Sequence, residues 1–248
     1  MELTSVELWL WIGFAGMGIG SLIILLLSRK LRKRDTFHAL IALLVTSIAT
    51  ISYYALARGQ GEIMVGDDVV YFGRYLDWLF TTPLLLLSLL VIALPVVRDL
   101  KEMRERSTLI ATVLVANVLM IVTGLFADLS TNSFDATVWY IASCLWFLVV
   151  LGLMFTQVKK YAFAHSKESA KVYMKLLGYL TFLWVLYPVV WVLGTTGIGT
   201  FNLTTETAIY TVLDVSAKAV FGILVVLSIL KLEKTARPEK HQTTVESA

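Results

Sequence analysis

The chain has no second cysteine. Cys144 stands alone inside an apolar run, so no intrachain disulfide can form and the residue reads as packing. The first apolar run has acidic flanks, Glu2 and Glu7, and no basic stretch ahead of it, which argues against a cleaved signal peptide. No internal repeat stands out, the connections are short, and a single domain is expected. Basic residues are almost missing from every second connection, and acidic residues are missing from half the depth of every apolar run. The first of these two absences fixes orientation, and the second limits where a proton could be held.

What is abundant is apolar sequence. Hydrophobic residues fill 58% of 248 positions, with a mean hydropathy of +0.78. A soluble domain of that size cannot bury so much apolar surface, so part of it must face lipid. Seven continuous stretches stand out: 6–28, 37–57, 69–94, 107–127, 135–157, 173–194 and 205–230. Each is near or above the ~20 residues that cross ~30 Å of hydrocarbon. Their continuity, without alternation, predicts helices rather than barrel strands. The expected fold class is therefore an all-α membrane protein, a seven-transmembrane helix bundle. Residues 1–232 form that domain, and 233–248 form a polar tail expected to be disordered. The connection ARGQGEIMVGDD (57–68) is Gly-rich enough to turn or form a small hairpin, and GTTGIG (194–199) marks the turn out of the sixth span.

Eighteen of the 21 Lys and Arg residues fall in SRKLRKRD (28–35), RDLKEMRER (98–106), the 159–175 connection and the tail from Lys231. Those segments share one side of a seven-span chain. The other side holds only Arg58, with Glu62, Asp67, Asp68, Asp128 and Asp135. The positive-inside rule then puts the N-terminus outside and the C-terminus in the cytoplasm, in a multi-pass protein expected in the cell (plasma) membrane. The net charge of +3 reflects this topology, and no nucleic-acid partner is expected. Arg74 and Lys218 remain, both inside spans.

On the seventh span Asp214 and Lys218 are four residues apart, hence on one face, with Glu206 on roughly the same face nearer the outside. On the third, Arg74, Asp77 and Thr81 occupy adjoining turns of one face, and Ser88 lies further in. An intramembrane Asp is often just a helix-helix hydrogen-bonding group, and a Lys near a span end usually snorkels. Lys218, however, has 12 residues of apolar helix on its cytoplasmic side, about 18 Å at 1.5 Å per residue. Snorkelling does not cover that distance. A lysine so placed is neutral, paired with carboxylate or chemically modified, and a desolvated amine is a good Schiff-base former. Trp78, Trp139, Tyr140, Trp184, Tyr187 and Trp191 share its depth. Such aromatics are commonly ordinary packing, yet at mid-span they also suit a flat, conjugated apolar ligand.

These residues carry a resemblance. RYLDWLFTTPLLLLS (74–88), WVLYPVVWVLGTTGIG (184–199) and LDVSAK (213–218) resemble the microbial (type 1) rhodopsins of the bacteriorhodopsin kind, and all seven spans fit in order. The resemblance implies all-trans retinal held as a covalent protonated Schiff base at Lys218. It implies Asp77 as proton acceptor and counterion, Asp214 as second counterion, Arg74 as gating arginine, and Tyr53 bonded to Asp214. Pocket positions implied are Trp78, Thr82, Asn117, Met120, Gly124, Trp139, Tyr140, Ser143, Trp184, Tyr187 and Trp191, with Thr82 and Asn117 linking two helices. No metal site is expected.

The helix-C signature is Asp77, Thr81, Ser88, where efficient outward pumps of the family carry a carboxylate at the donor position now held by Ser88. Of the outer acid pair linked to proton release, Glu206 matches one and Thr196 occupies the other. The expected function is a light-driven outward proton pump without a carboxylate cytoplasmic donor, not an enzyme. Reprotonation then slows about tenfold per pH unit, as diffusive proton supply requires. The alternative is a photosensory rhodopsin signalling to a transducer protein, which Ser88 and GLFADLS (124–130) also resemble; an inward proton pump is less favoured, because relatives of that kind carry proline at Asp214. Expected partners are the lipid bilayer, protons and further copies in a homo-oligomer. Tyr140 replaces the glycine of antenna-binding relatives, so no carotenoid antenna is expected.

Overall fold

The structure, a computed structural model, describes residues 4–66, 68–94 and 99–235. Among them seven helices are long and apolar enough to cross a membrane. They are α1 (Ser5–Ser28), α2 (Lys33–Ala57), α3 (Phe72–Ala93), α4 (Leu100–Asp128), α5 (Ser133–His165), α6 (Lys167–Leu193) and α7 (Leu203–Thr235). Side-chain caps set several N-termini. Thr4 and Glu7 form a reciprocal capping box at α1, and Asp99, Asn132, Ser166 and Asn202 each accept a backbone N–H at the starts of α4 to α7.

The helices depart from the apolar runs where polar or β-branched residues decide the local conformation. α3 starts at Phe72, because Val69 and Val70 belong to β2 (Asp68–Val70), which pairs antiparallel with β1 (Ile63–Val65). The Gly-rich connection is thus a small hairpin, and its Gly66 has φ +63°, the left-handed region glycine enters without strain. α4, α5 and α6 run beyond their apolar stretches through Lys, Arg and Glu, which are good helix formers in water. α7 also continues past residue 232 to Thr235, and Glu233 is buried there, accepting the backbone N–H of Arg32 at 2.9 Å. Residues 236–248, most of the expected tail, lie outside the described residues.

Antiparallel packing puts the Lys/Arg-rich connections at one end of the bundle, the basic end, and the β-hairpin with Glu206 at the other, the acidic end. α3 and α7 are the central helices: 61% and 56% of their apolar windows are buried, against 11% for α5, which turns most of its surface outward. Small residues bring α1 close to its neighbours. A Cβ on Gly13 would run into the ring of Tyr53, and one on Gly20 would lie 2.5 Å from Ala219 Cβ.

Two helices carry a π turn, Met154–Val158 in α5 and Ser216–Val220 in α7. The first residue of each has its carbonyl taken by a tyrosine of α6. Tyr173 Oη donates to Met154 O at 2.6 Å, and Tyr179 Oη donates to Ser216 O at 3.1 Å. π turns of this kind mark places where the helical ladder is locally re-routed, often at functional sites.

Candidate functional site

Lys218 sits inside the α7 π turn, 1% exposed, at the centre of the bundle. Its Nζ is in direct contact with Asp77 Oδ2 on α3 and lies 3.1 Å from Asp214 Oδ1, one turn earlier on α7. A buried cation facing two buried carboxylates is tolerable only as a hydrogen-bonded network. The two acids differ sharply in how they are held. Asp214 accepts Tyr53 Oη on Oδ2 at 2.9 Å, Tyr187 Oη on Oδ1 at 2.8 Å and Trp78 Nε1 on Oδ1 at 3.1 Å. Asp77 has Lys218 as its side-chain donor, and its buried Oδ1 has no hydrogen-bond partner. Thr81, completely buried, donates to the Asp77 backbone carbonyl at 2.8 Å.

Beside Lys218 an apolar cavity opens between α3, α4, α5, α6 and α7. Of the residues expected there, Trp78, Thr82, Met120, Gly124, Tyr140 and Ser143 line it, as do Trp184, Tyr187 and Trp191. Tyr140 stacks on Trp191 with ring centroids 4.5 Å apart and planes 13° apart. Gly124 keeps the wall open, since a Cβ there would lie 3.3 Å from Ser143 Oγ and 3.4 Å from Tyr75. Thr82 Oγ1 lies 2.8 Å from Asn117 Oδ1 and joins α3 to α4, as the resemblance implied, but Asn117 itself, completely buried, does not line the cavity. A cavity with aromatic walls and the Lys218 amine among its lining residues fits a flat polyene condensed on Lys218 Nζ.

Some expectations are corrected. Trp139 does not line the cavity; it is 38% exposed and packs on Phe126, because it lies 100° around α5 from Tyr140. Cys144 is not simple packing: it lines the cavity, as do Tyr75, Phe147 and Tyr210, none of which stood out in the sequence. Tyr210 is one turn before Asp214, a spacing that could have found it.

Toward the acidic end Arg74 is buried and sandwiched between Tyr71 and Tyr210, 5.1 and 4.8 Å from their ring centres. It pairs with Glu206 at 3.9 Å rather than with Asp77 or Asp214, and donates to Thr207 at 3.3 Å. Glu206 Oε2 accepts the Thr195 N–H at 2.9 Å and faces the Thr195 hydroxyl at 3.2 Å. Thr196, the residue expected at the second acid's place, instead neighbours Asp128. Asp128 was grouped with the surface acids by sequence, yet it accepts Tyr75 Oη at 2.7 Å and Trp191 Nε1 at 2.5 Å. It is tied to two walls of the cavity.

Toward the basic end polar groups thin out. Ser88 is 2% exposed and its Oγ has no partner. Between its depth and that of Lys218, α3 offers the buried Leu85 and Leu86, and α7 the buried Phe221.

Comparison with known proteins accords with this geometry. Residues 4–232 match the family described as Bacteriorhodopsin-like protein. A bacteriorhodopsin from Haloterrigena sp. (strain arg-4) is 40% identical over 239 residues, covering 94% of this chain and 91% of that one. Among solved structures, the thermophilic rhodopsin of Rubrobacter xylanophilus superposes with a TM-score of 0.85 at 35% identity, covering 91% of this chain and 97% of that one. The light-driven proton pump rhodopsin of Coccomyxa subellipsoidea gives 0.80 at 35% identity, covering 90% and 96%. The chain belongs to the bacteriorhodopsin-like family, and is a microbial (type 1) rhodopsin, a multi-pass membrane protein whose chromophore is retinal bound to a lysine.

Proposed function

We propose that the chain is a light-driven outward proton pump of the cell membrane, with its basic end in the cytoplasm, and that it works without a carboxylate donor on the inner side. Lys218 carries the retinal imine, and Asp77, Asp214, Arg74 and Glu206 move and balance charge around it. Retinal supplies light absorption and the isomerisation that turns the N–H on Lys218 Nζ. Everything else is done by the chain.

One observation carries the reading: the unequal treatment of the two counterions. Three neutral donors hold Asp214, so its charge is already well solvated by the protein. Asp77 keeps a bare oxygen against the same cation, so it is the carboxylate free to accept the proton. On the acidic side of Asp77, Arg74 is paired with Glu206, and Asp128 lies near them. The direction of transport follows from this asymmetry. The relative from Coccomyxa, a light-driven proton pump, adds support.

Illumination of unbuffered cells making the protein with retinal is the test. Acidification of the medium that a protonophore abolishes is expected. Alkalinisation would reverse the assigned direction, and silence would favour a sensor acting through a transducer.

A further inference from the structure

We propose that His38 is the group that takes up protons from the cytoplasm and holds one for delivery, past Ser88, to Nζ of Lys218. The inference rests on the pump reading and supplies the inner donor that Ser88 cannot be, since a serine hydroxyl does not hold an exchangeable proton in reserve at neutral pH.

His38 lies on the first turns of α2, 9% exposed, and its Nδ1 is buried with no hydrogen-bond partner. Buried polar atoms are nearly always paired, so an orphan imidazole nitrogen asks for a reason. The ring borders a cavity of about 520 Å³ at the basic end. Val91 and Ile92 of α3 form part of the same wall. Ser88 is three and four residues before them, hence one turn deeper on the same face, roughly 5–6 Å away. Depth along the bundle agrees. Tyr53 marks the counterion level on α2 and Asp77 marks it on α3, so His38 lies about 22 Å and Ser88 about 16 Å inward at 1.5 Å per residue. The cavity, His38 and Ser88 thus form a descending series that stops at the dry leucine layer above Lys218.

The other charged groups around the cavity are occupied or exposed. Asp35, one turn before His38, pairs with Arg34 at 3.1 Å. Glu233 of α7 is already engaged, accepting the Arg32 N–H at 2.9 Å. Glu168 of α6 pairs with Lys171 at 3.0 Å, and His165 at the end of α5 is open to water. Among the described residues around the cavity only His38 combines burial with an unused ring nitrogen. In the transfer, an N–H bond of the imidazolium breaks and an N–H bond at Lys218 Nζ forms. The neutral imidazole then takes a proton from cytoplasmic water. The leucine layer has to open transiently for the inner step.

The experiment has two arms on the retinal-loaded protein in vesicles. In the dark, ¹⁵N-histidine spectra, simplified by a total of three histidines, are compared with those of His38→Gln. The His38 ring is expected to take up a proton as the pH is lowered and to exchange with solvent. After a flash, His38→Gln is expected to reprotonate Lys218 at least about tenfold more slowly at neutral pH. Its rate then follows proton concentration, whereas the native rate levels off at low pH where His38 is loaded. Added imidazole, or Ser88→Asp in the same variant, restores the rate, and a normal visible band certifies folding. A ring that stays neutral throughout, or an unchanged reprotonation trace, overturns the relay. Proton release to the outside, followed in the same vesicles, separates the two readings: its loss overturns both, and release with an unchanged His38→Gln trace overturns the relay alone.

Discussion

The two halves of the bundle are built to different rules on either side of Lys218. In the acidic half, Tyr53, Trp78 and Tyr187 hydrogen-bond Asp214, while Arg74 donates to Thr207 and pairs with Glu206. In the basic half, Ser88 is unpaired beneath His38 and leucines separate it from the Schiff-base level. On the proposed pump reading, a proton leaving Lys218 meets Asp77 and polar groups toward the acidic end, while a returning proton from the basic end meets an apolar layer. The difference teaches where the rates lie. Release is prearranged by fixed groups, and uptake depends on loading and opening.

The comparison can be broken at its centre. Lys218→Ala removes the attachment point, and complete loss of the visible band is expected when retinal is added to the purified variant. Asp77→Asn leaves the cation facing Asp214 alone; absorption moves to the red and outward transport stops, which spectroscopy and vesicle pH recordings check together. Ser88→Asp gives the inner half the carboxylate it lacks, and flash kinetics are expected to show reprotonation faster by about tenfold at neutral pH. Asp128→Asn loosens the hold on Tyr75 and Trp191, a loss of about 1–3 kcal/mol for charge-assisted bonds, with Tm lowered by roughly 2–10 °C in calorimetry. Trp139→Leu, on the outward face of α5, is expected to leave the absorption band where it is; a shift would return that residue to the cavity wall.

Much of this was legible in the chain because membrane burial makes exceptions visible. A lysine and two aspartates in apolar runs, spaced by helical turns, announce an inward face without any coordinates. The runs located seven helices, but not their ends, since Lys- and Glu-rich turns continue a helix into water as readily as leucines do. Direction around a helix was harder. Trp139 and Tyr140 are neighbours in sequence and face different media. Asp128 looked like a loop acid, although Ile121, Gly124 and Asp128 share helical spacing and two of them line the cavity. His38 was invisible for another reason: only the absence of a partner for its ring nitrogen singles it out, and no pattern of residue types records an absence.

The paired tyrosines of α6 have a mechanical corollary. Tyr173 and Tyr179 moor that helix on one side to α5 and on the other to α7, each at a turn already wound off the regular screw. If α6 tilts away to wet the leucine layer, it must slip both moorings, a toll of about 1–3 kcal/mol at the usual worth of such bonds. That sum is small beside the energy of a visible photon and amounts to only about 2–5 times RT, so these two bonds bias α6 toward the closed arrangement by roughly five- to 150-fold rather than locking it.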